Sequence, residues 1–453
     1  MSEKRHKAST AVIVGLGRTG LSAARYLLAR GWRISATDTR REPPQLQALR
    51  ALDARIPVRL GGLDTALLDD AVCVVASPGV PLSDPFFAEA RRRGLTIVGD
   101  VELFALAADA PVVGITGTNG KSTVTTLLGR MAQRAGLAVR VGGNLGEPAL
   151  DLLVAAQKDA APPQLYVLEL SSFQLEATVS LDLKAAAVLN VTPDHLDRYA
   201  SLADYAAAKA RIFARCDTAV VNLDDPLVMA MPRAGEHTLS FSLRASIGAD
   251  YAVAARSGND WWLTRHGEPL LPLSALKIKG LHNAANALAA LALGEALGLP
   301  LETMLVELST FPGLPHRSQW VADVSGVTYI DDSKGTNVGA TLAAVGGMPG
   351  PLVMIAGGDG KQQDFAPLRA AFEGKVRYTV LIGRDAAALE KALAGVSPMQ
   401  RCASLEEAVR AAARAARPGD TVLLSPACAS LDMFRDYAHR GAVFSQAVRE
   451  LAA

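Results

Sequence analysis

Apolar residues in this chain come in short solid runs. Each run is followed by a glycine- or serine-rich break and then by an alanine/leucine-rich stretch with helical spacing. TAVIV (10–14), PVVGIT (111–116), LYVLEL (165–170), LVMIAG (352–357) and TVLLSP (421–426) are such runs. Continuous apolar strands without alternation are buried on both faces, and their alternation with helices predicts parallel α/β units. The pattern divides into three blocks, 1–98, 99–313 and 314–453. FPGLPHR (311–317), with two prolines and a glycine, reads as the second linker. One segment breaks the rhythm. From Phe241 to about Lys279, short alternating runs and the pair Trp261–Trp262 predict a few antiparallel strands.

Composition narrows the picture. The chain has 453 residues, 50% apolar and 20% charged, enough for several well-filled cores. The net charge of +1 leaves no electrostatic footprint for nucleic acid. Cys73, Cys216, Cys402 and Cys428 have neither disulfide-framework nor zinc-ligand spacing, so reduced thiols in a cytoplasmic protein are expected. The opening MSEKRHKAST is no signal peptide. The richest apolar stretch, Ala284–Leu299, is interrupted by Asn286, Gly294 and Glu295, so no membrane insertion is expected.

In parallel sheets, ligands gather beyond the carboxyl ends of strands. In the first block GLGRTG (Gly15, Gly17, Gly20) follows a strand and opens a helix, with Asp38 at the end of the next strand. That is a Rossmann-like dinucleotide fingerprint, in which the acid meets a ribose hydroxyl, and it suits any nucleotide diphosphate. Ser77-Pro78-Gly79 by itself reads as a turn. In the second block ITGTNGKSTV (115–124) resembles a phosphate loop with the first glycine moved to Gly117. It lies between a strand and a good helix, the context of a P-loop ATPase-type parallel sheet. Lys121 just inside a helix N-terminus opposes the helix dipole unless an anion is present, and Ser122 suits Mg²⁺. Glu169 ends an apolar strand, where a carboxylate needs a partner or a metal. Asp194, His195 and Asp197 follow another strand as metal or substrate ligands. Lys209, among the alanines of DYAAAKARIF, reads as a solvated surface residue. The third block repeats the strand-end pattern in DDSKGTN (331–337), GDGK (358–361) and CASLDMF (428–434). Its Lys334 and Lys361 suit an anionic substrate. Two nucleotide-type sites and one anion site suggest ATP-driven joining of two molecules.

TGTNGKST, LELSSFQL, NVTPDHLDRY, HNAANALAALAL, GLPHR, DDSKGTN, GGDGK and LSPACASLDMF, in this order along essentially the whole chain, resemble the Mur ligase family. DDSKGTN and GGDGK are most similar to its glutamate-adding branch. The resemblance implies three domains: Rossmann-like, central ATPase-type, and a C-terminal Rossmann-like one. It also implies a monomer that uses ATP and two Mg²⁺ to join D-glutamate to UDP-N-acetylmuramoyl-L-alanine through an acyl phosphate.

By the same resemblance, Gly117, Thr118, Asn119, Gly120, Lys121, Ser122 and Thr123 bind ATP together with Asn283, Asn286, Arg317 and Asp332, and His316 lies beside them. Ser122 and Glu169 hold one Mg²⁺. His195 holds the second with Lys209, carbamylated by CO₂. Arg18, Thr19, Asp38, Thr39, Arg40, Ser77, Pro78 and Gly79 meet the UDP part, and Asn144 the muramoyl part. Lys334, Thr336, Lys361, Ser430, Leu431 and Tyr437 meet glutamate. Gly335 stands where alanine is expected, which would loosen its loop, and Tyr437 where phenylalanine is expected. Three alternatives stay open: L-glutamate as acceptor, a nicotinamide-dependent oxidoreductase read from GLGRTG alone, and a non-catalytic nucleotide sensor.

Overall fold

The structure, a computed structural model, describes residues 9–157, 161–234, 237–257, 260–278, 280–348 and 350–452. The opening segment 1–8 and Lys279, where two of the expectations above fall, lie outside the described residues.

The chain builds three α/β domains, one around each of three sheets. The first sheet contains β1 (Thr10–Val14), β2 (Arg33–Asp38), β3 (Val58–Leu60), β4 (Ala71–Ala76) and β5 (Thr96–Gly99). It is fully parallel with order β3-β2-β1-β4-β5. Ala11 to Val14 are completely buried, as a strand covered on both faces requires. Order reverses at β1, and GLGRTG sits at that switch point. Gly20 permits the tight approach of helix Arg18–Ala29, because a Cβ there would lie 2.0 Å from the Gly15 carbonyl oxygen.

The central sheet has nine strands: β6 (Val112–Thr116), β7 (Val139–Gly143), β8 (Leu165–Glu169), β9 (Leu183–Val188), β10 (Cys216–Asn222), β11 (His237–Ser242), β12 (Tyr251–Ser257), β13 (Asp260–Arg265) and β14 (Glu268–Pro272). Their order is β14-β13-β12-β11-β10-β9-β6-β8-β7. The expected antiparallel segment is β12–β13–β14. It is continuous with the parallel sheet, since β12 runs parallel to β11 and β11 parallel to β10. Helix Leu281–Ala296 is apolar nearly all round and packs on this sheet with Leu288, Leu291 and Leu293 fully buried. Each such leucine contributes roughly 2 kcal/mol of burial. Glu307, 2% exposed, forms an ion pair with Arg130 at 2.5 Å and accepts from Arg134 Nε at 2.7 Å. The pair anchors helix Lys121–Arg134, whose N-terminus carries the phosphate loop.

The third sheet contains β15 (Gln319–Val324), β16 (Val327–Asp331), β17 (Leu352–Gly357), β18 (Val376–Ile382), β19 (Met399–Arg401) and β20 (Thr421–Leu424), in order β15-β16-β20-β17-β18-β19. Its β17 and β20 are the solid runs LVMIAG and TVLLSP read from sequence. The edge strands β15 and β19 were not legible, because neither has a solid apolar run. Among the described residues, no helix is long and apolar enough to cross a membrane. All four cysteines are free and buried, and burial raises the thiol pKa to about 11 at Cys73 and about 12 at Cys428.

Candidate active site

The phosphate loop connects β6 to helix Lys121–Arg134. Gly117 and Gly120 adopt φ of +147° and +87°, which side-chain-bearing residues rarely take. A Cβ on Gly120 would also sit 2.3 Å from Asn286 Oδ1. These two glycines, three apart, shape the turn, so the spacing is the loop's own. Lys121 folds back over it and donates to the carbonyls of Gly117 and Thr118, both at 2.8 Å. Burial lowers its pKa; Glu169 works against this and Arg317 with it.

Lys209 is the chief correction to the residue-level reading. It is 1% exposed, not on the surface, and donates to the same Gly117 carbonyl at 2.9 Å. Two amines thus converge on one oxygen. Burial, followed by the Lys121 charge, pushes the Lys209 pKa well below its ordinary value. A neutral amine is the form in which a lysine acts as a nucleophile.

Glu169, at the end of β8, is 3% exposed. It accepts from Ser122 Oγ at 2.5 Å and from Asn144 Nδ2 at 2.8 Å. Burial works to raise its pKa, but Lys121, these hydrogen bonds and Arg317 outweigh it and keep the carboxylate ionised. Arg317, in the linker, donates to Ser122 Oγ at 2.7 Å, so it joins the third domain's entry to the phosphate loop. His195 follows β9 at φ +54°, with its ring 4.9 Å from Phe173. Burial lowers its pKa, Asp194 opposes this, and the Lys361 charge is close enough to add to it. Asp194 accepts from Asn337 Nδ2 at 3.1 Å, a second bond between the central and third domains.

Asp332 is fully enclosed, which pushes its pKa up to about 7. Ser318 N–H and Ser425 Oγ donate to it at 3.0 and 2.8 Å. Between about pH 4 and 7 the folded state holds a proton here that the unfolded state has released. Stability from this group therefore falls as pH rises through that window. Asp332→Asn is expected to flatten that part of the ligand-free stability profile and to raise stability at pH 8. Denaturant unfolding at several pH values checks it, and an unchanged profile counts against a buried, proton-holding Asp332.

Two cavities hold most of the residues read from the sequence. One, of about 260 Å³, lies between the central and third domains. It gathers Asn119, Gly120, Thr123, Asn283, Asn286, Arg317 and Asp332, with Lys334 at its edge. The other, of about 510 Å³, gathers Arg18, Thr19, Asp38, Thr39, Arg40, Ser77, Pro78, Gly79 and Asn144. In it the Asp38 carboxylate accepts from Leu16 N–H at 2.6 Å and from the Arg40 guanidinium at 2.8 and 2.9 Å, which fastens the glycine turn.

The three loops of the third domain also meet. Asp359 and Ala429 exchange backbone hydrogen bonds, and the Lys334 ammonium lies 4.0 Å from the centre of the Tyr437 ring. Burial lowers the Lys334 pKa to about 8. Ser430 is buried, Leu431 exposed, and Thr336 and Lys361 half-buried. Gly335 sits in a closed turn. Its N–H donates to the Asp332 carbonyl at 2.8 Å, and a Cβ would press within 2.7 Å of Asp332 Oδ2. His316 Nδ1 pairs with Asp331 at 2.7 Å, which raises the imidazole pKa.

Residue-level reading missed Asn190, Gln174 and Arg198. Asn190 grips the phosphate loop through Asn119 N–H at 2.9 Å, and Gln174 lines the larger cavity. Their place within NVTPDHLDRY and LELSSFQL was the available signal.

Ser122 Oγ, Glu169 and Lys121 form a phosphate loop with hard oxygen donors beside it, which fits Mg²⁺. Lys209 as a plain amine does not fit that ion, but its carbamate would. Among the described residues, no three His, Cys, Asp or Glu side chains gather as a ready-made metal centre.

Fold and site together define a nucleotide-dependent enzyme assembled from three α/β domains. Family models match all three: the MurD-like N-terminal domain of Mur ligases over 9–99, the Mur ligase middle domain over 115–294, and the Mur ligase glutamate ligase domain over 316–428. The chain belongs to the Mur ligase family. It is 52% identical to the UDP-N-acetylmuramoylalanine--D-glutamate ligase of Nitrosococcus oceani, over 98% of this chain and 97% of that one. It is 50% identical to the Pseudomonas aeruginosa protein of the same name, over 97% and 98%. Among solved structures its fold is similar to the MurF ligase of Thermotoga maritima in complex with ADP (TM-score 0.62, 16% identity, 99% and 97% covered). It is also similar to UDP-N-acetylmuramate-alanine ligase MurC of the same organism (TM-score 0.59, 19% identity, 97% and 99% covered).

Proposed function

We propose that this protein uses ATP to join D-glutamate to UDP-N-acetylmuramoyl-L-alanine, a cytoplasmic step in making peptidoglycan precursor and hence in cell-wall growth, cell shape and division. The observation that carries this is identity of about 50% along the whole chain to ligases named for that reaction. Two separate cavities, one lined by the phosphate loop and one by the glycine turn of the first domain, agree with it.

In this reading the boundaries near residues 98 and 313 separate a UDP-sugar domain, an ATP domain and a glutamate domain. The γ-phosphoryl group passes from ATP to the alanyl carboxylate. The glutamate amine then attacks the acyl phosphate, a tetrahedral intermediate forms, and phosphate leaves. Such chemistry depends on alignment and charge neutralisation. Lys121 and Arg317 contact phosphate oxygens, with Asn283, Asn286 and Asp332 around the nucleotide. Lys334, Thr336, Lys361 and Ser430 hold the acceptor's carboxylates. Ser122 and Glu169 would hold one Mg²⁺, and His195 with carbamylated Lys209 a second. Mg²⁺ would neutralise charge on the transferring phosphoryl group.

Phosphate release from ATP and Mg²⁺ with UDP-N-acetylmuramoyl-L-alanine tests the proposal, with D-glutamate, L-glutamate or no amino acid added. Release dependent on D-glutamate is expected. Dependence on L-glutamate would keep the mechanism and change the acceptor. No release with either would overturn the ligase reading.

A further inference from the structure

Arg198 lines neither of the two cavities and has none of the roles above, yet it joins three parts of the molecule. Its side chain is only 13% exposed. Nη1 donates to the carbonyl of Pro78 at 2.7 Å, so it crosses from the central domain to the first. That carbonyl belongs to the Ser77–Gly79 loop, which walls the larger cavity. Nη2 reaches Glu176 at 3.4 Å, and the guanidinium carbon lies 4.1 Å from the centre of the Phe173 ring. Phe173 and Glu176 share a helical turn with Gln174, whose side chain lines the same cavity. Behind Arg198, its own N–H and that of Tyr199 close the turn on the His195 carbonyl at 2.9 and 3.1 Å.

The turn continues to the phosphate loop. Thr118 N–H donates to the Asn190 carbonyl at 2.9 Å, and Thr118 Oγ1 exchanges hydrogen bonds with the backbone of Thr192 at 3.0 and 3.2 Å. A continuous chain of bonds thus runs from the phosphate loop through residues 190–195 to Arg198, and from there to the far cavity's wall. Such a path can carry coupling if its end groups move between discrete arrangements.

We propose that Arg198 is a positioning residue that couples the two cavities: nucleotide on the phosphate loop sets the 190–198 turn, and Arg198 then fixes the Ser77–Gly79 wall for the sugar nucleotide. This rests on reading the larger cavity as the UDP site. Among the described residues, further contacts between the first and second domains lie away from the 190–198 turn. Arg25 pairs with Asp151 at 2.5 Å, and Arg18 donates to the Gly146 carbonyl at 2.6 Å. Domain docking therefore does not depend on Arg198 alone.

The test is calorimetric titration of the full chain with UDP, with and without saturating ADP and Mg²⁺. In the unaltered protein ADP is expected to tighten UDP binding roughly tenfold, within the usual range of coupling between sites. Arg198→Met should bind both ligands separately while coupling falls below about twofold. Arg25→Met, which removes a contact between the same domains away from the turn, should keep the coupling. Should Arg198→Met not fold, Arg198→Lys takes its place, because an ammonium cannot hold Pro78 and Glu176 in one fork. Retained coupling in the Arg198 variant, its equal loss in Arg25→Met, or no coupling in the unaltered protein overturns the proposal. No UDP binding to the unaltered protein would instead overturn the reading beneath it, and the proposal with it.

Discussion

Lys209→Ala is expected to lower kcat by about a thousandfold, near 4 kcal/mol in activation free energy, and acetate or formate should partly restore it. Lys121 and Lys209 both donate to the Gly117 carbonyl, at 2.8 and 2.9 Å; Lys209 is 1% exposed and Lys121 half-buried. Two ammonium groups on one oxygen repel, and burial penalises each charge. Lys121, at a helix N-terminus built for anions, gains its charge back when phosphate arrives. Lys209 has no helix N-terminus or phosphate beside it, so of the two it is the amine whose charge burial opposes more strongly. Its nitrogen lone pair can attack CO₂, losing one proton to solvent as the carbamate forms. That group would carry its negative charge toward His195 and the phosphate loop. A small carboxylate in the space left by alanine would supply the same oxygens. Initial-rate assays with and without formate decide it: full activity in the variant would sink the carbamate assignment, and loss without any rescue would reduce Lys209 to a packing residue.

The second large effect is expected from Lys121→Met. Removing the cation that meets the phosphates should cost about 10²–10³ in kcat. Stability should move the other way. In the ligand-free protein Lys121 is half-buried near two like charges, Arg317 and Lys334, beside the positive end of a helix. A methionine of similar length removes that repulsion and keeps the packing. The unfolding temperature should therefore hold or rise by about 2–4 °C. Thermal scans without ligand, paired with the phosphate-release assay, separate the two. A variant that is inactive and also markedly less stable would mean that Lys121 is a structural tie, through Gly117 and Thr118, more than a phosphate ligand.

How much of this was legible varies by residue. Solid apolar runs marked β1, β6, β8, β17 and β20, because a buried parallel strand has no polar face to hide the signal. The phosphate loop was legible despite its spacing, since a strand, two glycines and a lysine opening a helix occur together. Lys209 was not. A lysine among alanines looks solvated until the fold sets Tyr205 and Gly117 against it. The crowding around Gly335 was hidden for the same kind of reason: only the fold brings the Asp332 and Ser425 side chains against it. Arg198 stayed hidden because its partner, the Pro78 carbonyl, is 120 residues away and carries no side-chain signature.

The Arg317–Ser122 bond gives the molecule a property of its own. Ser122 is encoded near the start of the central domain and Arg317 at the end of the linker that follows it, 195 residues later. A fragment that stops before the linker would keep the phosphate loop and lose the guanidinium that closes one wall of the smaller cavity. That wall is therefore complete only once the chain has been made past residue 317.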